Sequence, residues 1–369
     1  MNLYQSLLRP LLFQCDAEWT HETTLRACHW LAKSGWLRER VRSHHAFDDP
    51  RLACSVAGLA FPNPVGIPAG FDKDAHAGLM LEALGYGFVE AGSVSRDPSP
   101  GNPARPRVFR VPADEGLMVF YGVPSEGAVA VAQRAASTRP RVPFGISLVE
   151  ANIGRMSPFD EVVAQFTDAA RTFIGRADYL QLNINCPNTT GGESPLDDPA
   201  HLALLLAGLR EVENLPPVFL KITPFRTPAA IEAILAVVDP YAFIKGFVLN
   251  TEAPKPYAGL NTPLEVLRKM PGTLCGPIRR KPVDDAVSAW YRRIDRARHA
   301  IIAAGGTSSA ADAYRRIRLG ASLVGVLTAL VYRGPGVVRD IKEGLCRLIE
   351  RDGFATICEA VGVDTPRAR

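Results

Sequence analysis

The sequence has no uninterrupted apolar run near the roughly 20 residues that a membrane-crossing helix needs, so no segment is expected to span a bilayer. It has no C-x-x-C pair. Its seven cysteines (Cys15, Cys28, Cys54, Cys186, Cys275, Cys346, Cys358) are odd in number and widely spaced. That argues against a disulfide framework or a zinc site and fits a reducing cytoplasm. The N-terminus has no basic leader, and Arg9 and Pro10 break its first apolar stretch, so no export signal is expected. An excess of charge is also lacking: 42 basic residues face 38 acidic ones, a net of +4. Outside Arg279–Lys281 and Arg292–Arg298 the basic residues are scattered, whereas nucleic-acid binding calls for a concentrated basic face. Missing too is an early G-x-G-x-x-G, the phosphate turn of a doubly wound open sheet.

What is present reads as a globular chain. Its 369 residues are 47% hydrophobic and 22% charged, enough for one large domain and a small appendage. From Pro64 onward a short apolar run, a turn and a stretch with helical spacing alternate. The runs are PVGIPA, GFVEAG, PFGISLV, YLQLNI, PVFLKI, IKGFVL, AIIAAG and SLVGVL, eight in all. They are continuously apolar, as parallel strands covered on both faces are. Eight strand-then-helix units predict an α/β fold of the (β/α)8 TIM-barrel type over residues 42–369. Residues 1–41 are expected to be a helical extension, with Leu3, Leu7, Leu8, Leu11 and Leu12 on one face and Leu25, Cys28, Leu31 and Ala32 on another. Such an extension caps the barrel or touches a membrane. The stretch from Arg279 to His299 reads as a solvated, charge-laced helix.

In a barrel of this kind the chemistry collects where the strands end. Ala69, Gly70 and Lys73 follow the first run and Ser93 the second. Asn183, Asn185, Cys186 and Asn188 close the fourth, Lys221 lies in the fifth, and Asn250 and Thr251 follow the sixth. Gly305 and Gly306 after the seventh run, a helix opening at Thr307–Ser309, and Thr328 after the eighth stand where barrel enzymes hold a phosphate on helix amides. Lys221 within an apolar strand is costly to bury without an anion or polar partner, unless it reaches to solvent. Cys186 is either a small buried residue or a general base whose acidity is raised by nearby cations. The three asparagines around it argue for a polar site.

These residues bring a family into view. AGFDKD, VEAGSVSRDPSPGNPARPRVFR, NINCPNTTGG, LKITP, LNT, AAGGTSSAADA and GASLVGVLTALVYRGP resemble, in order and spacing, dihydroorotate dehydrogenase over about residues 10–345. CDAEWTHETTL is similar to the extension of the membrane-associated, quinone-linked class. The resemblance implies an FMN enzyme that takes a hydride from C6 of dihydroorotate while Cys186 removes the C5 proton, a step of pyrimidine biosynthesis. It places Ala69, Gly70, Lys73, Ser93, Ser147, Asn183, Lys221, Thr251, Gly276, Gly305, Gly306 and Thr328 around the flavin. Lys73, Asn183, Asn188 and Asn250 fall around the substrate, and His21 and Arg107 line a quinone tunnel. Quinone as electron acceptor, and peripheral contact with the inner face of the cell membrane through the N-terminal helices, follow from the same resemblance.

The chain departs from the family pattern at several points. Val119 stands where a substrate asparagine is expected, Ser147 replaces an asparagine near the flavin, Glu150 replaces a lysine, and Leu327 replaces a tunnel tyrosine. A cysteine base belongs to the soluble class, whereas the extension belongs to the quinone-linked one. Two alternatives therefore stay open: a flavin oxidoreductase acting on another dihydropyrimidine, cyclic amide or enone, and a non-catalytic barrel.

Overall fold

A computed structural model describes residues 3–155, 157–184, 196, 198–222, 227–250, 252 and 257–366. All eight apolar runs are strands: β1 (Val65–Asp72), β2 (Val89–Val94), β3 (Phe144–Leu148), β4 (Tyr179–Asn183), β5 (Val218–Ile222), β6 (Ile244–Leu249), β7 (Ala300–Ala304) and β8 (Leu323–Gly325). Each pairs in parallel with the next, and β8 closes onto β1. Covering helices follow between strands, so outward residues such as Leu180, Leu182 and Leu220 join a core shared with the helices. The alternate residues fill the interior, which is why the runs are largely apolar, with polar residues only at a few inward positions.

The lower lumen is an apolar plug of Phe88, Tyr179, Phe219, Val248, Ile302 and Leu323. A hairpin of Cys54–Val56 with Leu59–Phe61 closes it from below, adding Val56 and Phe61. Its two turn residues, Ala57 and Gly58, both take positive φ, as a tight two-residue hairpin requires. Above this plug the inward residues change character to Glu90, Ser147, Gln181, Asn183 and Lys221.

A second sheet of three antiparallel strands, Val108–Val111, Gly116–Val119 and Thr273–Cys275, lies outside the barrel. The N-terminal helices pack against it. Helix Ala17–Leu31 is capped by Asp16, whose carboxylate accepts from Trp19 N–H, and helix Gly35–His45 by Ser34. Leu25 and Ala32 are buried as their spacing predicts, but Leu31 is 45% exposed and points away. The leucines of the first segment face outward as well: Leu3, Leu7, Leu8 and Leu11 are all exposed.

The stretch from Arg279 to His299 differs from its reading as a solvated helix. Helix Arg280–Tyr291 buries Val283, Asp284, Ala286, Val287 and Trp290, and the Trp290 ring packs on Phe247 of β6 at 4.7 Å. Lys281 and Asp285 are exposed while Val283, Ala286, Val287 and Trp290 recur every three to four positions, so one face serves the barrel and the other meets water.

Candidate active site

The site is built on the upper interior of the barrel, where the inward residues of β2, β3, β4 and β5 are polar. Glu90 is 1% exposed. One carboxylate oxygen accepts from Ala69 N–H at 3.1 Å and the other from Tyr179 O–H at 3.1 Å. Burial pushes its carboxyl up to about 7, against those two hydrogen bonds and the Lys221 ammonium. The half-buried Lys221 thus has a buried acid within electrostatic reach.

The linkage runs one way. The folded Glu90 holds its proton up to about 7, where an unfolded glutamic acid has lost it near 4.5. Stability therefore falls as pH rises through that window and the contribution is lost above it. Glu90→Gln is expected to flatten this slope in the ligand-free protein. Thermal unfolding followed from pH ~5 to ~8 checks it, and a slope that the substitution leaves unchanged sinks the assignment.

Across β2, β3 and β4 runs a chain of hydroxyls and amides. Gln181 Nε2 donates to Ser147 Oγ at 2.8 Å, Ser147 Oγ lies 2.9 Å from Ser93 Oγ, and Asn183 Nδ2 donates to Ser93 Oγ at 2.9 Å. Ser93 follows a cis peptide bond after Gly92. At each end of the chain a buried amide oxygen, Oε1 of Gln181 and Oδ1 of Asn183, has no hydrogen-bond partner among the described residues. A buried carbonyl left so costs roughly 1–3 kcal/mol, so native proteins rarely leave one unmatched, and a bound ligand is one way to complete it.

The opposite wall is made of backbone. Gly276, Gly305 and Gly306 all take positive φ, and a Cβ on Gly306 would stand 2.9 Å from Arg280 N and 3.1 Å from Gly276 O. A Cβ on Gly276 would stand 2.9 Å from Glu115 O. Three chain segments thus approach as only glycine allows. Ser309 caps helix Ala310–Leu319, and Thr328 begins helix Thr328–Arg333, so two helix starts lie next to this wall. Arg280 adds a cation there, donating through Nε to Gly306 O at 3.2 Å and pairing with Asp312 at 3.1 Å. The wall suits an anion.

Asn250, just past β6, is held by Arg279, which is 4% exposed. Arg279 Nη1 donates to Asn250 Oδ1 at 3.0 Å, Nε to Leu274 O at 2.8 Å, and Nη2 to Thr273 Oγ1 at 3.3 Å. A guanidinium only donates, so it fixes the Asn250 amide with its oxygen toward Arg279 and its NH2 turned away.

Lys73 lies on the side of the N-terminal helices. Its ammonium donates to Gly70 O at 3.1 Å and sits 3.8 Å from the centre of the Tyr121 ring. Burial lowers it to about 8, opposed by Asp74 and reinforced by Arg107. His21 stacks edge-on to Phe71 at 5.0 Å, and burial and then Lys73 push it down to about 3, so it is neutral. Arg107 is clamped by Glu18: the Arg107 N–H donates at 2.8 Å, Nε at 2.8 Å and Nη2 at 2.7 Å. Val119 packs in the apolar cluster of Val108, Leu117 and Tyr332 with Phe13, Ala17 and Tyr121, so no amide stands there. Leu327 is half-buried against the main core, and Tyr332 nearby donates to Gly116 O at 2.6 Å.

The described residues therefore bring together Ala69, Gly70, Ser93, Ser147, Asn183 and Lys221 on one side and Gly276, Gly305, Gly306 and Thr328 on the other, with Lys73 and Asn250 at the margins. Asn185, Cys186, Asn188 and Thr251 lie outside the described residues. Sequence reasoning passed over Glu90, Gln181, Arg279, Arg280 and Glu18. The signal for the first two was present: a polar residue inside an apolar run, the same cue that singled out Lys221.

A closed parallel barrel whose strand ends set buried acceptors and lysines against a glycine-lined wall has the site architecture of a barrel enzyme. A family model described as dihydroorotate dehydrogenase matches residues 51–349. The chain is 37% identical to the dihydroorotate dehydrogenase (quinone) of Roseiflexus sp., over 98% of this chain and 99% of that one. It is 37% identical to the protein of the same name from Natronomonas pharaonis, over 99% and 100%. The crystal structure of the Eimeria tenella dihydroorotate dehydrogenase in complex with ferulenol superposes with a TM-score of 0.78 at 30% identity, covering 95% of this chain and 96% of that one. The chain belongs to the dihydroorotate dehydrogenase family, whose members are oxidoreductases and, in general, flavoenzymes.

Proposed function

We propose that the protein oxidises dihydroorotate to orotate with FMN as its bound cofactor and passes the electrons to a quinone. The observation that carries the reading is the pairing of two partnerless buried amide oxygens, on Gln181 and Asn183, with the three-glycine cradle across the barrel. FMN matches both: its flavin ring offers hydrogen-bond donor and acceptor edges, and its phosphate suits amides and Arg280. Ala69, Gly70, Ser93, Ser147, Lys221, Thr251 and Thr328 complete its surroundings in this proposal. When bound, FMN accepts the hydride and later releases electrons.

The chain's own groups do the rest. Cys186 removes the C5 proton. Lys73, Asn183, Asn188 and Asn250 hold the substrate, and Asn250, its oxygen engaged by Arg279, offers N–H donors to a substrate carbonyl or carboxylate. The half-buried Lys221 supplies positive charge where negative charge develops during hydride transfer.

In the same proposal, residues 1–41 are an extension that admits quinone past His21 and Arg107, and residues 42–369 are the catalytic barrel. Exposed Leu3, Leu7, Leu11, Trp30 and Trp36 support contact with the cytoplasmic face of a membrane. No helix among the described residues is long and apolar enough to cross one.

The test is an anaerobic absorbance titration of the FMN-loaded protein with dihydroorotate, followed by a soluble quinone. Bleaching at each substrate addition and recovery on quinone addition are expected. A flavin that dihydroorotate leaves oxidised rejects this substrate and favours the second reading, another dihydropyrimidine or cyclic amide, to which the apolar Val119 would be suited. Bleaching without recovery rejects the quinone.

A further inference from the structure

Ser147 brings only a hydroxyl to the upper lumen, and the structure sets an amide beside it from the neighbouring strand, that of Gln181. Ser147 and Gln181 are register partners on β3 and β4, 0% and 1% exposed. Gln181 stretches toward the serine and donates to its hydroxyl at 2.8 Å. Its remaining polar atom, Oε1, is buried and without a partner among the described residues, two residues below the equally partnerless Oδ1 of Asn183 on the same face of β4.

We infer that Gln181 is a flavin-binding residue, its carboxamide reaching across from β4 to supply the amide that Ser147 does not, with Oε1 accepting from the imide N–H of the flavin ring. The inference rests on the FMN reading above. The chemistry is specific. With Nε2 engaged at Ser147, the free atom of Gln181 is an acceptor, so it is complemented by a donor, and the imide N3–H is the only ring N–H of an oxidised flavin. The Ser147–Ser93–Asn183 hydroxyl and amide chain holds the Gln181 head group in place, so little side-chain freedom remains to be lost on binding. A glutamine of this kind, inside a barrel whose other lumen layer is apolar, has no packing reason to be there.

The experiment uses the full-length protein stripped of flavin and measures quenching of flavin fluorescence on rebinding of FMN and of its N3-methyl analogue. Wild type is expected to prefer FMN. Gln181→Leu is expected to bind FMN on the order of tenfold more weakly and to lose most of that preference, the loss of one hydrogen bond to a buried group. The double variant Ser147→Asn, Gln181→Ala returns an amide to β3 and clears space for it on β4; FMN affinity is expected to recover to within about threefold of wild type. Equal binding of the two flavins by wild type, or an undiminished preference in Gln181→Leu, overturns the inference while leaving FMN binding intact. A wild-type protein that takes up neither flavin overturns the cofactor reading and this inference together. Should Gln181→Leu fail to fold, wild type and the double variant still decide: no preference in the former, or no recovery relative to Ser147→Asn alone in the latter, overturns it.

Discussion

Replacing Cys186 by alanine is expected to slow reduction of the bound flavin by dihydroorotate by roughly 10²–10⁴-fold, the usual contribution of a positioned general base, while FMN affinity stays near that of wild type. The residue follows β4, whose last residue, Asn183, belongs to the polar chain on the barrel wall, and it precedes Pro187 and Asn188. Of the side chains in that stretch, only cysteine supplies, as its thiolate, a base that can take up a proton near neutral pH. An ordinary cysteine ionises near 8.5, whereas a serine hydroxyl does so far higher. Cys186→Ser is therefore expected to retain some activity that climbs at a higher pH than wild type. Stopped-flow bleaching across pH decides the matter. An alanine variant reduced as fast as wild type would remove Cys186 from the chemistry.

Breaking the Glu18–Arg107 clamp is expected to have the largest effect on stability. Both side chains are nearly sequestered, 3% and 6% exposed, and three N–H groups of Arg107 converge on the one carboxylate. Glu18→Ala leaves a buried guanidinium uncompensated, which typically costs about 3–5 kcal/mol. The exposed Arg105, 3.2 Å from Glu18, offers no replacement because it carries the same sign. The loss falls first on the docking of helix Ala17–Leu31, since the barrel closes without it. Hydrogen exchange is expected to accelerate across residues 17–31, and quinone reduction to fall further than dihydroorotate-driven bleaching. Uniform acceleration over the barrel strands, or equal loss of both half-reactions, would show that the clamp supports the whole fold instead. Glu18→Gln, which keeps an acceptor but not the charge, should fall between the two.

Much of the architecture is legible in the sequence. The eight apolar runs are the eight strands, because a strand buried on both faces has to be mostly apolar and the turns between strands have to break that pattern. Part of the glycine wall is legible too, since Gly305 and Gly306 stand out after the seventh run, whereas Gly276 is placed there only by the family resemblance; at positive φ between converging backbones only glycine fits. The helix from Arg280 to Tyr291 differs from its reading because Arg280, Lys281, Asp284, Asp285 and the arginines that follow it dominate the composition, whereas its buried face is carried by only a few residues at helical spacing.

What the sequence by itself determined is therefore local: which segments bury both faces, where the chain turns, and which polar residues close each strand. Only the tertiary structure decided who meets whom. Glu18 finds Arg107 89 positions away, Gln181 leans on Ser147 34 positions away, and Arg279 orients Asn250 29 positions away. Hydrophobic periodicity is a property of neighbours along the chain. These pairings depend on strand register and barrel closure, which bring distant residues to one wall and bury them there, so that each amide or charge is matched by whatever the next strand or helix presents.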